Sequence, residues 1–492
     1  MYSQSTPETL AANLYVTLAV LAVVGVIFLL ALKDRRYVLF GYLFFLPLAT
    51  MPIMAGRLAG IPGLSVQNLV MGLGLYAIFL TRSHKVRMDR NLRMALILYW
   101  VVVTGVVLHG MFYMDELRRI RSFVNYGVYD YLRTYLILPA LVWFSFVAAY
   151  RYASAGAGRA TEYIRYAGIA TLGFAILTLG SVAYYFTQFS DPHLVREMAA
   201  LFVGVHSNDF SIAFAMAAPI LIAGAVAKRA APRRDRILFW LTLVIVVAAV
   251  LFSYSRTGYV ALALAVFGFA LLTKRSLLWL LVPVLAGLVL FGPASVLERA
   301  QFGFKSEYAG PRTTLDLNYI SAGRIGMAEA ALNIITNDIG QTAFGGGRLT
   351  FPRNTYDKFG VDHPHNAYLE ALLDAGVVGF VPLIILFLLL FSRAVKGMRR
   401  LRASEYRLFY VAAAVSLGIF FVTGISRGSF FPTYQLIFVW QVSGFALGLL
   451  RYDMSRASQQ AQPTMSAGSS STRNNTLQRT HASTRNVPKC AG

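Results

Sequence analysis

Apolar runs close to the ~20 residues that an α-helix needs to cross a bilayer recur from one end of this chain to the other. They fall near residues 13–32, 37–55, 64–81, 94–113, 134–150, 166–187, 209–227, 237–253, 258–273, 276–291, 376–391, 408–424 and 434–450. In hydrocarbon every backbone polar group must be paired internally, which leaves helices or closed barrels as the spanning structures. The runs are continuous, whereas barrel strands alternate over ~10 residues, so barrels are excluded. The expectation is an all-α, polytopic membrane protein with about 12–13 transmembrane helices and one large loop outside the membrane.

The loops between the runs differ sharply in charge. Six alternate ones, following the runs at 13–32, 64–81, 134–150, 209–227, 258–273 and 376–391, hold 24 of the 45 Lys and Arg residues. Cytoplasmic loops concentrate Lys and Arg, so these six are assigned to the cytoplasm. The N-terminus and the segment 292–365 are then periplasmic, and the C-terminus is inside. The same rule accounts for the net charge of +23, which in a soluble protein would suggest nucleic acid. With no soluble domain to carry such a surface, no nucleic-acid partner is expected.

Cys490 is the only cysteine and can form no intrachain disulfide. Only Ala491 and Gly492 follow it, so it opens no prenylation box. The N-terminus lacks a basic region before its apolar run, which argues against a cleaved signal peptide. The chain divides into N-terminal transmembrane helices (1–200), a transmembrane region including the loop 292–365 (201–450), and a tail (451–492). The tail is rich in Ser, Thr, Gln, Asn and Arg and cannot offset its ordering entropy by burial; it is expected to be disordered, with lipid headgroups as possible contacts.

Chemistry is expected around the loop 292–365, where seven basic residues face seven acidic ones. Periplasmic loops usually shed Lys and Arg, so these either pair with the acids or hold an anion. Arg324 follows Gly323 at what reads as the start of an amphipathic helix, Arg324–Leu332. At the end of the loop stands Asp362-His363-Pro364-His365-Asn366. Pro364 resists helix on its N-terminal side and Asn366 is a good N-cap. Leu369, Leu372 and Leu373 then recur at helical spacing, and Gly376 can end or bend the helix.

Two imidazoles therefore lie beside a helix N-terminus as the chain re-enters the membrane, a place suited to a base and to an anion. Arg256, in Ser255-Arg256-Thr257-Gly258, sits in a turn so short that its guanidinium must stay at headgroup level. Its fork suits phosphate oxygens, although a snorkelling anchor is the alternative. Arg427 occupies the same position between the last two runs, and Arg118, Arg119, Arg121 and Arg133 crowd another loop. Asp362, His363 and His365 could supply three metal ligands, but no second cluster of matching spacing is seen, so no metal is expected. No nucleophile-elbow Gly-x-Ser-x-Gly is present.

His365-Asn366 followed by Gly376 and Gly379, with Ser255-Arg256-Thr257-Gly258 and Ser321-Ala322-Gly323-Arg324, resembles the signature of the O-antigen ligase and polymerase superfamily. The likeness covers roughly residues 200–450. Val260 stands where that family often has Leu, and the thirteen runs exceed its twelve helices, which either one additional N-terminal helix or an N-terminal run that does not span would explain.

The resemblance implies an inner-membrane enzyme with its active site facing the periplasm. It would transfer a glycan from undecaprenyl diphosphate to a hydroxyl of lipid A core, a lipid-linked repeat or another acceptor, with inversion and without a cofactor. His365 is then the catalytic base, Arg256 and Arg324 hold the diphosphate, and His363, Asn366 and Arg427 complete the substrate site. A polysaccharide flippase is the alternative from another class. Transporters usually carry ionisable groups in helix centres, which are almost free of them here.

Overall fold

The structure is a computed structural model. It describes scattered residues between 18 and 34, then 36–51, 65–80, 88–120, 123–124, 127–228, 231–282, 324–400, 406–426, 428–433 and 436–460. Most of the runs at 13–32 and 276–291, residues 283–323 with Ser321-Ala322-Gly323, Arg121, Arg427 and the chain beyond 460 lie outside the described residues.

The described elements are helical throughout. They are α1 (Arg36–Leu48), α2 (Val66–Leu80), α3 (Arg90–Met111), α4 (Met114–Arg119), α5 (Val128–Ser154, with a π-helical stretch at Arg133–Ile137) and α6 (Ala157–Gln188). Next come α7 (Pro192–Val203), α8 (Ser207–Val226), α9 (Arg233–Leu251) and α10 (Arg256–Leu272). After the loop follow α11 (Arg324–Thr336), α12 (Ile339–Phe344), α13 (Thr350–Phe359), α14 (Ala367–Arg400), α15 (Arg407–Thr423) and α16 (Ile437–Gln460).

Eleven of the thirteen apolar runs lie on these helices. Five of them (α3, α5, α6, α8 and α14) are long and apolar enough to cross a membrane, and α1, α2, α10 and α15 are shorter apolar helices. The chain is an all-α, multi-pass membrane protein.

The bundle is built around α8. Its sequence is apolar on all sides and rich in Ala, so it can be enclosed by neighbours at short range. It packs against α6, α9, α10, α15 and α16. Phe239 of α9 fills a notch formed by Gly224 of α8 and Gly168 of α6, where a Cβ would come within 2.6 and 2.8 Å of its ring. Gly444 and Gly448, one turn apart on α16, lie against the Phe146 and Tyr150 carbonyls of α5, the close backbone approach that small residues at four-residue spacing permit. Between these layers runs an aromatic column. Phe387 meets Phe420 at 4.6 Å and Trp440 at 5.3 Å, and Phe430 meets Tyr368 at 5.1 Å.

Short helices α4, α12 and α13 lie outside the expected runs, and two longer elements also depart from the sequence reading. Helix α7 was not anticipated, because its buried stripe of Val195, Ala199 and Val203 puts only one residue per turn inward, too narrow to register as an apolar run. Helix α16 continues through Gln460, past the expected start of a disordered tail at 451. The Tyr410 hydroxyl donates to Asp453 at 2.7 Å, which pins the first turn beyond that boundary.

Candidate functional site

The site is organised by a break in α14. Asn366 caps the helix as expected, its Oδ1 accepting from the Tyr368 and Leu369 amides at 3.0 and 3.1 Å. At Gly376 the backbone leaves helical geometry (φ 61°, ψ −174°), separating a short segment from the long membrane helix. Such a break strands carbonyls at the end of the first segment. The loop Gly345-Gly346-Gly347 takes them. Gly346 and Gly347 amides donate to the Leu373 and Asp374 carbonyls at 2.9 and 3.0 Å, and Gln341 Nε2 donates to Leu373 at 2.8 Å. Gly345 and Gly376 face each other so closely that a Cβ on either would lie 2.5 Å from the other's backbone or its neighbour's. Both have positive φ, so glycine is required twice over.

Arg348, the residue after this loop, closes a buried clasp onto the short segment before the break. Its Nη1 donates to Glu370 and Asp374, each at 2.6 Å. The two acids are four residues apart and so share one helix face. The second Asp374 oxygen accepts from the Thr350 amide at 3.1 Å. The guanidinium lies 4.5 Å from the Phe431 ring centre and 5.2 Å from that of Tyr135. The Arg348 amide reaches the Val106 carbonyl of α3 at 2.9 Å. Burial works against charge on Arg348, but Glu370 and Asp374 more than reverse it, so its pKa is shifted upward.

His363 and His365 stand at the head of this assembly with ring centres 4.2 Å apart. His365 has φ 52°, a left-handed conformation uncommon outside glycine. Immediately after it, the Ala367 amide donates to the Gly424 carbonyl at 2.8 Å, and the Tyr368 hydroxyl to the Phe421 carbonyl at 2.8 Å. The imidazoles are thus tied to the end of α15, three residues before Arg427.

Arg324 begins α11, as expected, and is half-buried. Met327, Ala331 and Ile335 of α11 share a small core with Phe351 of α13 and Leu373 of α14, so the helix that Arg324 begins packs on the short segment of α14.

Arg256 is the exposed first residue of α10. Ser255 Oγ caps that helix by accepting from the Gly258 amide at 3.0 Å. A Cβ on Gly258 would collide with Ser211 of α8, at 2.6 Å from its Cβ. Helix α10 packs on α15, with the end of α15 at the same face as Arg256. Nearby, the His206 ring caps α8 through the Asn208 amide at 3.2 Å.

Several loop cations prove to be structural. Arg353 is buried beneath Tyr113, 3.8 Å from its ring centre, and donates to the Gly346 carbonyl and to Thr350 Oγ1. Arg133 donates to Gln67 Oε1 at 2.6 and 3.0 Å, and Arg118 to Asp115 at 3.1 Å.

The sequence reading did not single out Arg348, Glu370, Asp374 or Arg196, whose guanidinium reaches Ser207 at the head of α8. A usable signal existed for the acids: Glu370 and Asp374 are one turn apart in an otherwise apolar helix, which hydrocarbon tolerates only with a partner. Among the described residues, no group of three or more His, Cys, Asp or Glu side chains converges to hold a metal ion.

Residues 241–384 match the family model described as O-antigen ligase. The matched stretch begins in α9 and ends in α14, and it contains Arg256, Arg324, Arg348, His365, Gly376 and Gly379. No curated protein matches the chain.

Proposed function

We propose, from the premise that this chain belongs to the O-antigen ligase superfamily through residues 241–384, that it transfers a glycan from undecaprenyl diphosphate to an acceptor hydroxyl at the periplasmic face of the inner membrane. His365 takes the acceptor's proton as the oxygen bonds to the anomeric carbon. The bond from that carbon to the diphosphate breaks on the opposite side, which inverts the centre. Charge grows on the departing diphosphate, and Arg256 and Arg324 offset it with bidentate guanidinium contacts, Arg427 adding to the same field. His363 and Asn366 line the pocket. Asn366 Oδ1 is committed to the helix cap, so its Nδ2 is the group a sugar hydroxyl would meet. The arginines provide the positive charge, and the reaction proceeds without a metal.

The observation that carries this reading is the fixed placement of His365. It sits in a strained turn before a capped helix, with the Arg348 clasp on one side and the Arg324 helix packed above. A base held in one position is what general catalysis requires. The acceptor decides whether the enzyme acts as a ligase on lipid A core or as a polymerase on a second lipid-linked repeat.

The test is incubation of the purified protein with a lipid-linked glycan and each acceptor in turn. Release of undecaprenyl diphosphate together with an extended acceptor, unaffected by chelator, is expected. Donor that stays intact with every acceptor, or activity lost to chelator and restored by a divalent ion, would contradict the reading.

A further inference from the structure

At the face of the bundle opposite His365, a small pocket that carries charged residues and an apolar groove meet at Met88. The groove encloses about 850 Å³ along the outside of α3, lined by Arg93, Leu96, Trp100, Thr104 and Leu108 with Trp143 of α5. These α3 residues recur every three or four positions and form a single stripe. At ~1.5 Å per residue the stripe is roughly 22 Å long, enough to take a chain through one leaflet's half of a ~30 Å hydrocarbon core.

Among the described residues, the only charged group lining the groove is Arg93, at one end. The other end, at Leu108, adjoins Gly110, where Gly347 of the site loop packs. The adjoining pocket, about 260 Å³, sets Asp89, Arg393 and Arg451 beside an apolar lining of Leu92, Leu447 and Leu450. Asp89 caps α3 by accepting from the Asn91 amide at 3.0 Å and pairs with Arg393. One acid therefore stands against three arginines, and the excess positive charge lies on Arg93 and Arg451, both exposed.

We infer that this composite site binds an anionic phospholipid, its phosphate between Arg93 and Arg451 and one acyl chain in the groove past Trp100 and Trp143. The charge distribution selects the occupant. A lipid whose head lay at the His365 face would place its charge at the uncharged end of the groove. A zwitterionic lipid would gain little from the excess arginines, whereas a net negative headgroup gains from each basic residue near the surface. The site lies across the membrane from His365 and is independent of the proposed reaction.

The test is native mass spectrometry of the full chain in detergent, titrated with dioleoylphosphatidylglycerol or dioleoylphosphatidylcholine. Binding of phosphatidylglycerol should be at least ~10-fold tighter. The double variant Arg93→Gln/Arg451→Gln should lose that preference with an unchanged unfolding temperature in detergent alone, since both side chains are exposed. Thr104→Trp, which fills the groove, should weaken both lipids. Equal binding of the two lipids, or a preference that survives the double variant, overturns the proposal. So does displacement of phosphatidylglycerol by a polyprenyl diphosphate, which would assign the groove to the donor.

Discussion

His365 combines an unfavourable backbone with a proposed chemical role. A non-glycine residue at φ 52° carries strain on the order of 1–3 kcal/mol, and such strain persists where surrounding contacts over-determine it. Here those contacts are the Asn366 cap and the Ala367–Gly424 hydrogen bond. Relief of strain and loss of chain entropy oppose each other in His365→Gly, so its stability should stay within about 1 kcal/mol of the parent while transfer falls about 10²–10⁴-fold. His363→Ala should be milder. Thermal unfolding and initial transfer rates on the same preparations separate the two effects. Arg348 should behave in the opposite way. Arg348→Met leaves Glu370 and Asp374 buried without their cation and should cost about 3–5 kcal/mol. Neutralising all three with Arg348→Met/Glu370→Gln/Asp374→Asn should recover much of that loss. An unfolding temperature that Arg348→Met leaves unchanged would show that the clasp does not hold the loop to the segment before the break.

Among the elements, α14 links fold to chemistry, because its break lets one helix both present His365 and cross the membrane. Gly376→Ala and Gly345→Ala each force a side chain into positive φ and into opposing backbone 2.5 Å away, and should each destabilise by roughly 3 kcal/mol or more. Gly418→Ala, with nothing within 4 Å of the new methyl, should stay within about 1 kcal/mol. Equal effects of all three on unfolding temperature would remove the argument for the break.

Much of this was legible in the sequence because it is local. Asn366 and Ser255 are cap-forming residue types, Gly376 is the residue that tolerates a break, and the polar-to-helical change at Arg324 marks the start of α11. The clasp was not legible. Arg348 was weighed against acids inside its own loop, whereas its partners lie 22 and 26 residues further on, in α14 beyond α13. Pairing at that separation is decided by packing, which local periodicity does not encode. Helix α7 and the extension of α16 escaped for a related reason: a narrow buried stripe and one tyrosine–aspartate contact stabilise them.

For the whole molecule, the arrangement requires that His365 and the lipid-linked donor share a side of the membrane. Reporter fusions after Arg236 and Arg402 should read cytoplasmic and one near Tyr308 periplasmic; a cytoplasmic signal at Tyr308 would separate the proposed site from its donor. Deleting residues 461–492 should leave transfer nearly intact, since it spares α16, whose described end is Gln460. Complete loss at normal protein abundance would assign the tail a role in the reaction. Arg256→Lys should be severely impaired, because an ammonium keeps the charge but loses the fork that grips a diphosphate. The most direct measurement is the rate at which purified protein and purified His365→Ala consume a defined undecaprenyl-diphosphate-linked glycan, with folding verified by matching unfolding temperatures. The account predicts stoichiometric release of undecaprenyl diphosphate and extended acceptor from the parent, and a rate lower by about 10²–10⁴-fold for His365→Ala. Parent-like turnover by His365→Ala would contradict it.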